Sequence, residues 1–382
     1  MRVGVLTTSY PREPGDPAGG FVRGLAREIV RRGHEVEVLA AGPGDGGEPG
    51  IQVTRLPARR GLFYQQGAPE ALARSPRAWA AVPGFVAAMW REARRRAWDR
   101  VVSHWLLPSG LIGARLGLPH LAIAHSGDVH LAARRGIADL VGAALLSPGT
   151  EVAFVAEHLR ERLAGQLRDP RLLLARSFVC PMGTDVVPRP PRRAGEPGTV
   201  LFLGRLVPIK GLPTLVEAMA RVPRARLVVA GAGPSGEAVA ALARARRVPL
   251  SLIGEVRGVA AKQALLAEAD VLCVPSVALP GGRDEGAPVV VLEALAAGVP
   301  LVASDLPGIR ALANGAAWLV PPGDPGALAG ALAAALAAPG THAAAASRIA
   351  AAHRWPAIGD RLLGRLPYTG ATREGDPHVE HG

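Results

Sequence analysis

The chain has 382 residues, long enough for two domains of ordinary size and too long for one ordinary core. Hydrophobic residues at 49% and charged residues at 20% exclude a mainly disordered chain. A formal charge of +12 favours anionic partners, yet nucleic acid is not expected, because the sequence has no Cys/His finger spacing, RNP-like aromatics or basic low-complexity tail.

Met1 leads straight into a strand with no secretory leader, and no apolar run reaches the ~18 residues that span a bilayer, so a cytoplasmic protein is expected. Short Val/Leu-rich runs alternate with amphipathic or Ala-rich stretches, the pattern of parallel strands joined by crossover helices. In the first half strands are predicted over 3–8, 35–40, 51–56, 100–104, 120–124, 151–155 and 178–181. The clearest helix covers 21–32, where Phe21, Val22, Leu25, Ile29 and Val30 recur at helical spacing before Gly33. Residues 186–198 read VVPRPPRRAGEPG, too rich in Pro, Arg and Gly to carry an element, and are assigned as a linker. The second half restarts with strands over 199–204, 226–230, 250–253, 270–275 and 300–303 and helices over 212–221 and 288–297. The fold class is α/β with two doubly wound parallel sheets. The domains are drawn as 1–185 and 199–350, then a C-terminal helix over 351–367 and a disordered tail over 368–382. Cys180 and Cys273, distant and in apolar runs, read as reduced core residues.

The segment 270–309 reads DVLCVPSVALPGGRDEGAPVVVLEALAAGVPLVASDLPGI. A buried strand runs to Pro275, a Gly-rich loop follows, Pro288 is placed as the first helical residue and Gly298 closes the helix. Open α/β sheets bind ligands at such loops, and a helix amino end offers free N–H groups to a phosphate. Glu285 lies ahead of the helix and Glu293 roughly 7 to 8 Å beyond its start. That separation suits one carboxylate on a sugar and another on a ribose, with a diphosphate between them. The alternative makes Glu285 a loop charge and Glu293 a solvated helix residue, which the apolar neighbours Leu292 and Ala294 disfavour.

This segment resembles the E-x7-E signature of family 4 retaining glycosyltransferases, and the likeness covers essentially the whole chain. It implies the GT-B fold, two Rossmann-like domains facing each other across a cleft, with the C-terminal helix returning to the first domain. It implies that Glu285 contacts the transferred sugar, aided by the backbone of Gly286 and Ala287, and that Glu293 binds the nucleotide ribose. The family's frequent Glu-Gly-Phe-Gly is here Glu285-Gly286-Ala287-Pro288, which leaves the sugar open. The stretch VLFLGRLVPIKGLPTLVEA, 200–218, resembles the family's diphosphate-holding strand, loop and helix, with Arg205 and Lys210 as phosphate ligands. Two fixed cations there would stabilise charge developing on a leaving diphosphate. Lysine occurs nowhere else except Lys262.

In TTSYPREPGDPAGGFVRGL, 7–25, Gly19 and Gly20 precede the first long helix and leave backbone N–H groups open to a phosphate. By resemblance this loop closes over the donor at Gly20 and meets the acceptor at Gly19. HWLLPSGL, 104–111, and AHSGDVH, 124–130, also resemble first-domain segments of the family. The second implies His125 on the donor sugar and Asp128 shaping the acceptor side or the loop. VCPMGTDV, 179–186, implies a hinge at Gly183 and Asp185, and Val256, after strand 250–253, is the expected base contact. Gly231, Gly233 and Gly236 satisfy G-x-G-x-x-G, but in mid-domain and with Pro234 inside, so a dinucleotide site is rejected.

With no D-x-D pair and no His/Asp/Glu cluster at metal spacing, neither metal nor cofactor is expected. The donor substrate is expected to be a UDP-, GDP- or ADP-sugar and the acceptor a glycan, a lipid-linked group or a small molecule. The rival readings are a sugar-nucleotide epimerase or phosphorylase of the same architecture, and a nucleotide-sugar or anionic-lipid binding protein without catalysis. MWREARRRAWDR, 89–100, mixes Trp90 and Trp98 with five arginines. It reads either as an interfacial helix on an anionic membrane, at the inner face of the plasma membrane, or as an ordinary amphipathic surface helix.

Overall fold

The computed structural model describes residues 1–13, 15–44, 47–58, 80–190 and 198–365. The linker stretch 191–197 and the tail 368–382 lie outside them. The first half builds strands β1 (Arg2–Leu6), β2 (Glu35–Ala41), β3 (Ile51–Leu56), β4 (Arg100–His104), β5 (His120–Ala124), β6 (Thr150–Phe154) and β7 (Ser177–Val179). They form one parallel sheet in the order β3-β2-β1-β4-β5-β6-β7. The second half builds β8 (Gly198–Leu203), β9 (Ala225–Ala230), β10 (Leu250–Gly254), β11 (Val271–Val274), β12 (Leu301–Ser304) and β13 (Trp318–Val320). These form a second parallel sheet in the order β10-β9-β8-β11-β12-β13.

The central strands β4, β5, β11 and β12 are buried along their whole length, as strands covered by helices on both faces must be. Most of the strands are short Val/Leu-rich runs, and the predicted strands fall within two residues of the observed ones. In each sheet the strand order reverses at one place, between β1 and β4 and between β8 and β11. A crevice opens at the carboxyl ends of strands where the order reverses, and the two crevices supply the opposed walls of one cleft.

The first core takes the buried face of helix α1 (Gly20–Arg31), Val22, Leu25, Ala26 and Ile29. Helix α2 (Val82–Arg94) follows β3 and packs Phe85 and Met89 onto Leu39 and Leu56. The helical reading of 89–100 needs correction. The helix stops at Arg94, and Asp99 already donates its N–H to the Arg2 carbonyl as β4 begins. Trp98 turns inward, 5% exposed, against Gly4, and its Nε1–H bonds Glu37 at 3.0 Å. Trp90 instead faces the cleft, so the two tryptophans share no outer face. Pro288 is also displaced by one position: it caps the helix in an extended conformation, and helical residues start at Val289. No described helix is long and apolar enough to cross a membrane.

Helix α3 (Gly127–Arg134) follows β5 and α4 (Glu157–Ala164) follows β6, both against the first core. In the second half α5 (Leu212–Met219), α6 (Gly258–Glu268) and α7 (Val289–Ala297) cover the sheet, and α8 (Ala343–Ala352) packs on α7. The chain then crosses back. Thr184 donates its N–H to the His353 carbonyl at 3.0 Å, and α9 (Trp355–Leu363) lies on α1 in the first half. The Trp355 ring sits on Gly24 and Gly183, where a Cβ would approach ring carbons to 2.2 and 2.6 Å. Arg32 ties the same junction to the Pro356 carbonyl and to Asp360.

Gly24 is therefore a seat for an indole. Gly24→Leu should force Trp355 out and lower stability by about 2 to 4 kcal/mol, the range for overpacking together with a displaced aromatic. Urea denaturation should show a lower midpoint, with α9 becoming the first site of limited proteolysis. An unchanged midpoint would mean that the return helix adds nothing to the first half.

Candidate active site

The cleft has a volume of about 1660 Å³ and is lined from both halves. The loops after β1, β4 and β5 form one wall, and those after β8, β9, β10 and β11 the other. On the second wall the β8 loop reaches Lys210, and its αL residue Gly211 passes so close to the Pro275 carbonyl that a Cβ would lie 1.8 Å from it. That approach brings the β8 and β11 loops side by side. Lys210 Nζ lies 2.7 Å from Glu285 Oε1, and the Ser276 hydroxyl donates to the same oxygen at 3.3 Å.

Glu293 lies within α7, whose residues from Val291 to Ala297 are all buried, and is itself 7% exposed. A carboxylate in such a helix needs a counter-charge, because removing one partner of a buried pair costs about 3 to 5 kcal/mol. Lys262, from α6, supplies it, with Nζ 2.5 Å from Oε1. Each of the two lysines thus holds one of the two glutamates, and Arg205 lines the cleft beside them. Gly231 and Gly233 let the β9 loop pack on the β8 loop, since a Cβ would meet the carbonyls of Gly204 and Leu206 at 1.8 and 2.4 Å.

On the first wall His125 follows β5 and lines the cleft among Phe21, Trp105 and His104. Asp128, 4% exposed, accepts from the backbone N–H groups of Leu106 at 2.7 Å, Ser126 at 3.0 Å and His125 at 3.2 Å. One carboxylate thereby ties the β4 and β5 loops together. Gly19 takes φ 70° at the cap of α1, where a Cβ would lie 2.4 Å from the Ser9 carbonyl; Gly20, next to it, is the first helical residue and has no atom within 4 Å of where its Cβ would be.

The walls touch at several points. Gly286 passes under the His125 carbonyl, which a Cβ would approach to 2.4 Å, and Ala287 and Val289 pack against the first core. Gly258 donates its N–H to the Gly15 carbonyl at 2.7 Å, and Arg257 pairs with Glu13. Val256, beside this contact, lines the cleft from the second half. Asp284 Oδ1 lies 3.5 Å from Nε2 of both His130 and His158, contributed by α3 and α4 of the first half. Burial raises the Asp284 carboxyl pKa, and the two imidazoles more than offset this, holding it below the usual carboxylate range.

Two family models divide the chain between them. "Glycosyltransferase Family 4" matches residues 18–187 and "Glycosyl transferases group 1" matches 197–338. The D-inositol 3-phosphate glycosyltransferase of Geodermatophilus obscurus is 30% identical over 433 aligned positions, covering 98% of this chain and 90% of that protein. The chain belongs to the family 4, group 1 glycosyltransferases. The phosphatidyl-myo-inositol mannosyltransferase of Mycobacterium leprae is 38% identical over 165 residues, 41% of this chain and only 42% of that one. Among solved structures, sucrose-phosphate synthase of Thermosynechococcus elongatus superposes with a TM-score of 0.74 at 21% identity, covering 96% of this chain and 98% of that one. It shares the two-domain GT-B architecture.

Within this glycosyltransferase, Glu285, Lys210, Arg205, Gly286, Ala287, Glu293, Val256, His125, Gly19, Gly20 and Asp128 all line one cleft. The pairing of Lys262 with Glu293 was not read from the sequence; its only signal there is the rarity of lysine. His104 and the Asp284, His130 and His158 group carried no such signal, because each depends on residues that meet only in the folded chain.

Burial pushes the His104 pKa far below its ordinary value of 6.5, with His125 adding to the shift, and pushes His120 to about 3. Burial also takes His125 to about 4, against an upward pull from Asp128. All three are neutral when folded, whereas the unfolded chain takes up their protons below about pH 6.5. Their stabilising contribution is therefore complete above that pH and is lost as pH falls towards 4. The slope should be about 1.4 kcal/mol per pH unit for each histidine. Urea midpoints between pH 7 and 4.5 should fall accordingly, and His120→Gln should flatten the dependence by about one proton.

Proposed function

We propose that the chain is a retaining, metal-independent glycosyltransferase that moves a sugar from a nucleotide-diphosphate sugar to an acceptor hydroxyl. The observation that carries this is the pair of lysine-held glutamates, Lys210 with Glu285 and Lys262 with Glu293, brought together in one cleft from the segments that follow β8, β10 and β11, with Arg205 lining the same cleft. Glu285, His125 and the backbone of Gly286 and Ala287 take the sugar, Glu293 the ribose and Val256 the base. Arg205, Lys210 and the amino end of α1 at Gly20 take the diphosphate. Gly19 and the loops that Asp128 holds shape the acceptor side.

In the step itself the acceptor oxygen forms a bond to the anomeric carbon on the face from which the diphosphate departs. The bond from that carbon to the phosphate oxygen breaks, and the acceptor proton passes to an oxygen of the leaving diphosphate. Arg205 and Lys210 stabilise the charge that develops there. Glu285 is spoken for by Lys210 and Ser276 and acts as a sugar ligand, not as a nucleophile. The two halves close on the donor by bending near Gly183 and Asp185 and at the crossing near His353.

The nucleotide is open among UDP, GDP and ADP. The acceptor is a glycan, lipid-linked group or small molecule; the printed names of two relatives point to inositol-bearing acceptors. Peripheral membrane contact would rest on Arg91, Arg94 and Arg95 of α2 and the turn after it, all exposed, and not on its tryptophans.

A thermal-shift screen with UDP, GDP and ADP should give a rise in melting temperature with one of them, since a ligand that binds only the folded state stabilises it. Glu293→Gln should remove that rise. Lys210→Ala should cut turnover by about 10² to 10³-fold, the range for losing one donor to a developing anion. A protein that binds nucleotide sugar yet neither transfers nor hydrolyses it would be the non-catalytic binder.

A further inference from the structure

We propose that His104 is a positioning residue that fixes the tautomer of His125, so that His125 meets its ligand as a neutral hydrogen-bond donor through Nδ1. The proposal deepens the reading in which His125 contacts the donor sugar, and it rests on that reading for its functional consequence.

His104 closes β4 with 0% exposure, and its Nδ1 lies 3.1 Å from Nε2 of His125. The two rings are stacked, 5.3 Å apart and 16° from parallel, with Phe21 and Trp105 packed around them. Both rings are neutral at pH 7, because burial opposes their charged forms. A single proton therefore occupies the bond between them, and it comes from one ring or the other.

Suppose His125 donates from Nε2. His104 Nδ1 must then be bare, and the His104 proton must sit on its Nε2. That nitrogen is buried and has no hydrogen-bond partner among the described residues. A buried N–H without an acceptor loses its full hydration, and such orphaned donors are rare. In the opposite arrangement His104 donates from Nδ1, and its Nε2 carries only a lone pair facing apolar surroundings. The second arrangement strands no donor. It also determines His125: Nε2 is an acceptor, so the one ring proton lies on Nδ1, the nitrogen left for a ligand.

The consequence is chemical. His125 has spent its lone-pair nitrogen on His104 and cannot take a proton from the acceptor. It offers an N–H to an oxygen of the ligand, as a hydroxyl of a sugar would accept. The proton bookkeeping of transfer then leaves out both histidines, in keeping with a phosphate oxygen as the base.

The test is long-range 15N–1H correlation NMR on the full chain labelled at histidine, with His125→Gln to assign the ring. The expected signature at pH 7 is a protonated Nδ1 and a bare Nε2 on His125. In His104→Phe, which keeps a flat ring but removes the donor, this signature should be lost. Turnover should fall by at least about tenfold, while the thermal shift with nucleoside diphosphate alone stays as in the unaltered chain. His104→Asn, whose amide can occupy the position of Nδ1, should restore the signature and most of the turnover. A His125 protonated on Nε2, or charged at pH 7, in the unaltered chain overturns the proposal. So does a His104→Phe variant with undiminished turnover. Should His104→Phe fail to fold, the tautomer in the unaltered chain still decides. A chain with the expected tautomer and no transfer to any acceptor would sink the functional reading and leave the tautomer assignment standing.

Discussion

A carboxylate inside a buried helix has to be paired, and Glu293 imposes that requirement on everything around it. Helix α7 is apolar from Val291 to Ala297 apart from this one residue. Lys262 can answer it only if α6 lies beside α7 with its fifth residue turned inward, which fixes how the second sheet is covered next to the cleft. The same physics recurs at Glu285, where the αL turn at Gly211 brings Lys210 within 2.7 Å of the carboxylate. Each pair is internally neutral, so the cleft holds two buried carboxylates without a net negative field, and Arg205 lines the same cleft.

The path from sequence to fold was short where burial alone decides. Strands covered on both faces are rich in apolar residues, so β5, β11 and β12, and β4 around Val101 and Val102, are legible to within a residue. Short strand β13 escaped, because three residues between Ala317 and Pro321 make no recognisable run. The misreading of 89–100 has a clear cause. Arg94 to Trp98 contains no Pro or Gly to mark the end of α2, and its alternation of arginine with tryptophan imitates an amphipathic face. What ends the helix is tertiary: Trp98 fits against Gly4, where a side chain would collide with the ring, and its N–H finds Glu37. No local pattern records that fit.

The site was legible in its charges and less so in its partners. Glu285 and Glu293 stand out by their spacing about a glycine loop and an apolar helix, whereas Arg205 and Lys210 are singled out by the family resemblance and by the rarity of lysine. Lys262 does not stand out by spacing. It sits 31 positions from Glu293 on a helix with no strong apolar face, and only folding reveals the pairing. The first wall follows the same rule. The family resemblance implies that Asp128 shapes the acceptor side or the loop, and its oxygens accept from three backbone N–H groups drawn from two loops, partners that the sequence does not reveal. It thereby holds the backbone of His125 and Leu106 in register across the two loops.

The seam between the halves combines two kinds of contact with different consequences. Gly286 under the His125 carbonyl is a backbone approach that only glycine permits at that distance, and Gly258 meets Gly15 through a backbone hydrogen bond. Asp284 between His130 and His158 is electrostatic and adjoins Glu285 directly in sequence. Displacing the seam therefore moves Glu285 and its neighbouring carboxylate together. Because the chain crosses back at His353 to seat Trp355 on Gly24 and Gly183, the halves are joined on the side away from these contacts as well. Two chain crossings restrict relative motion to a hinge far more than one would.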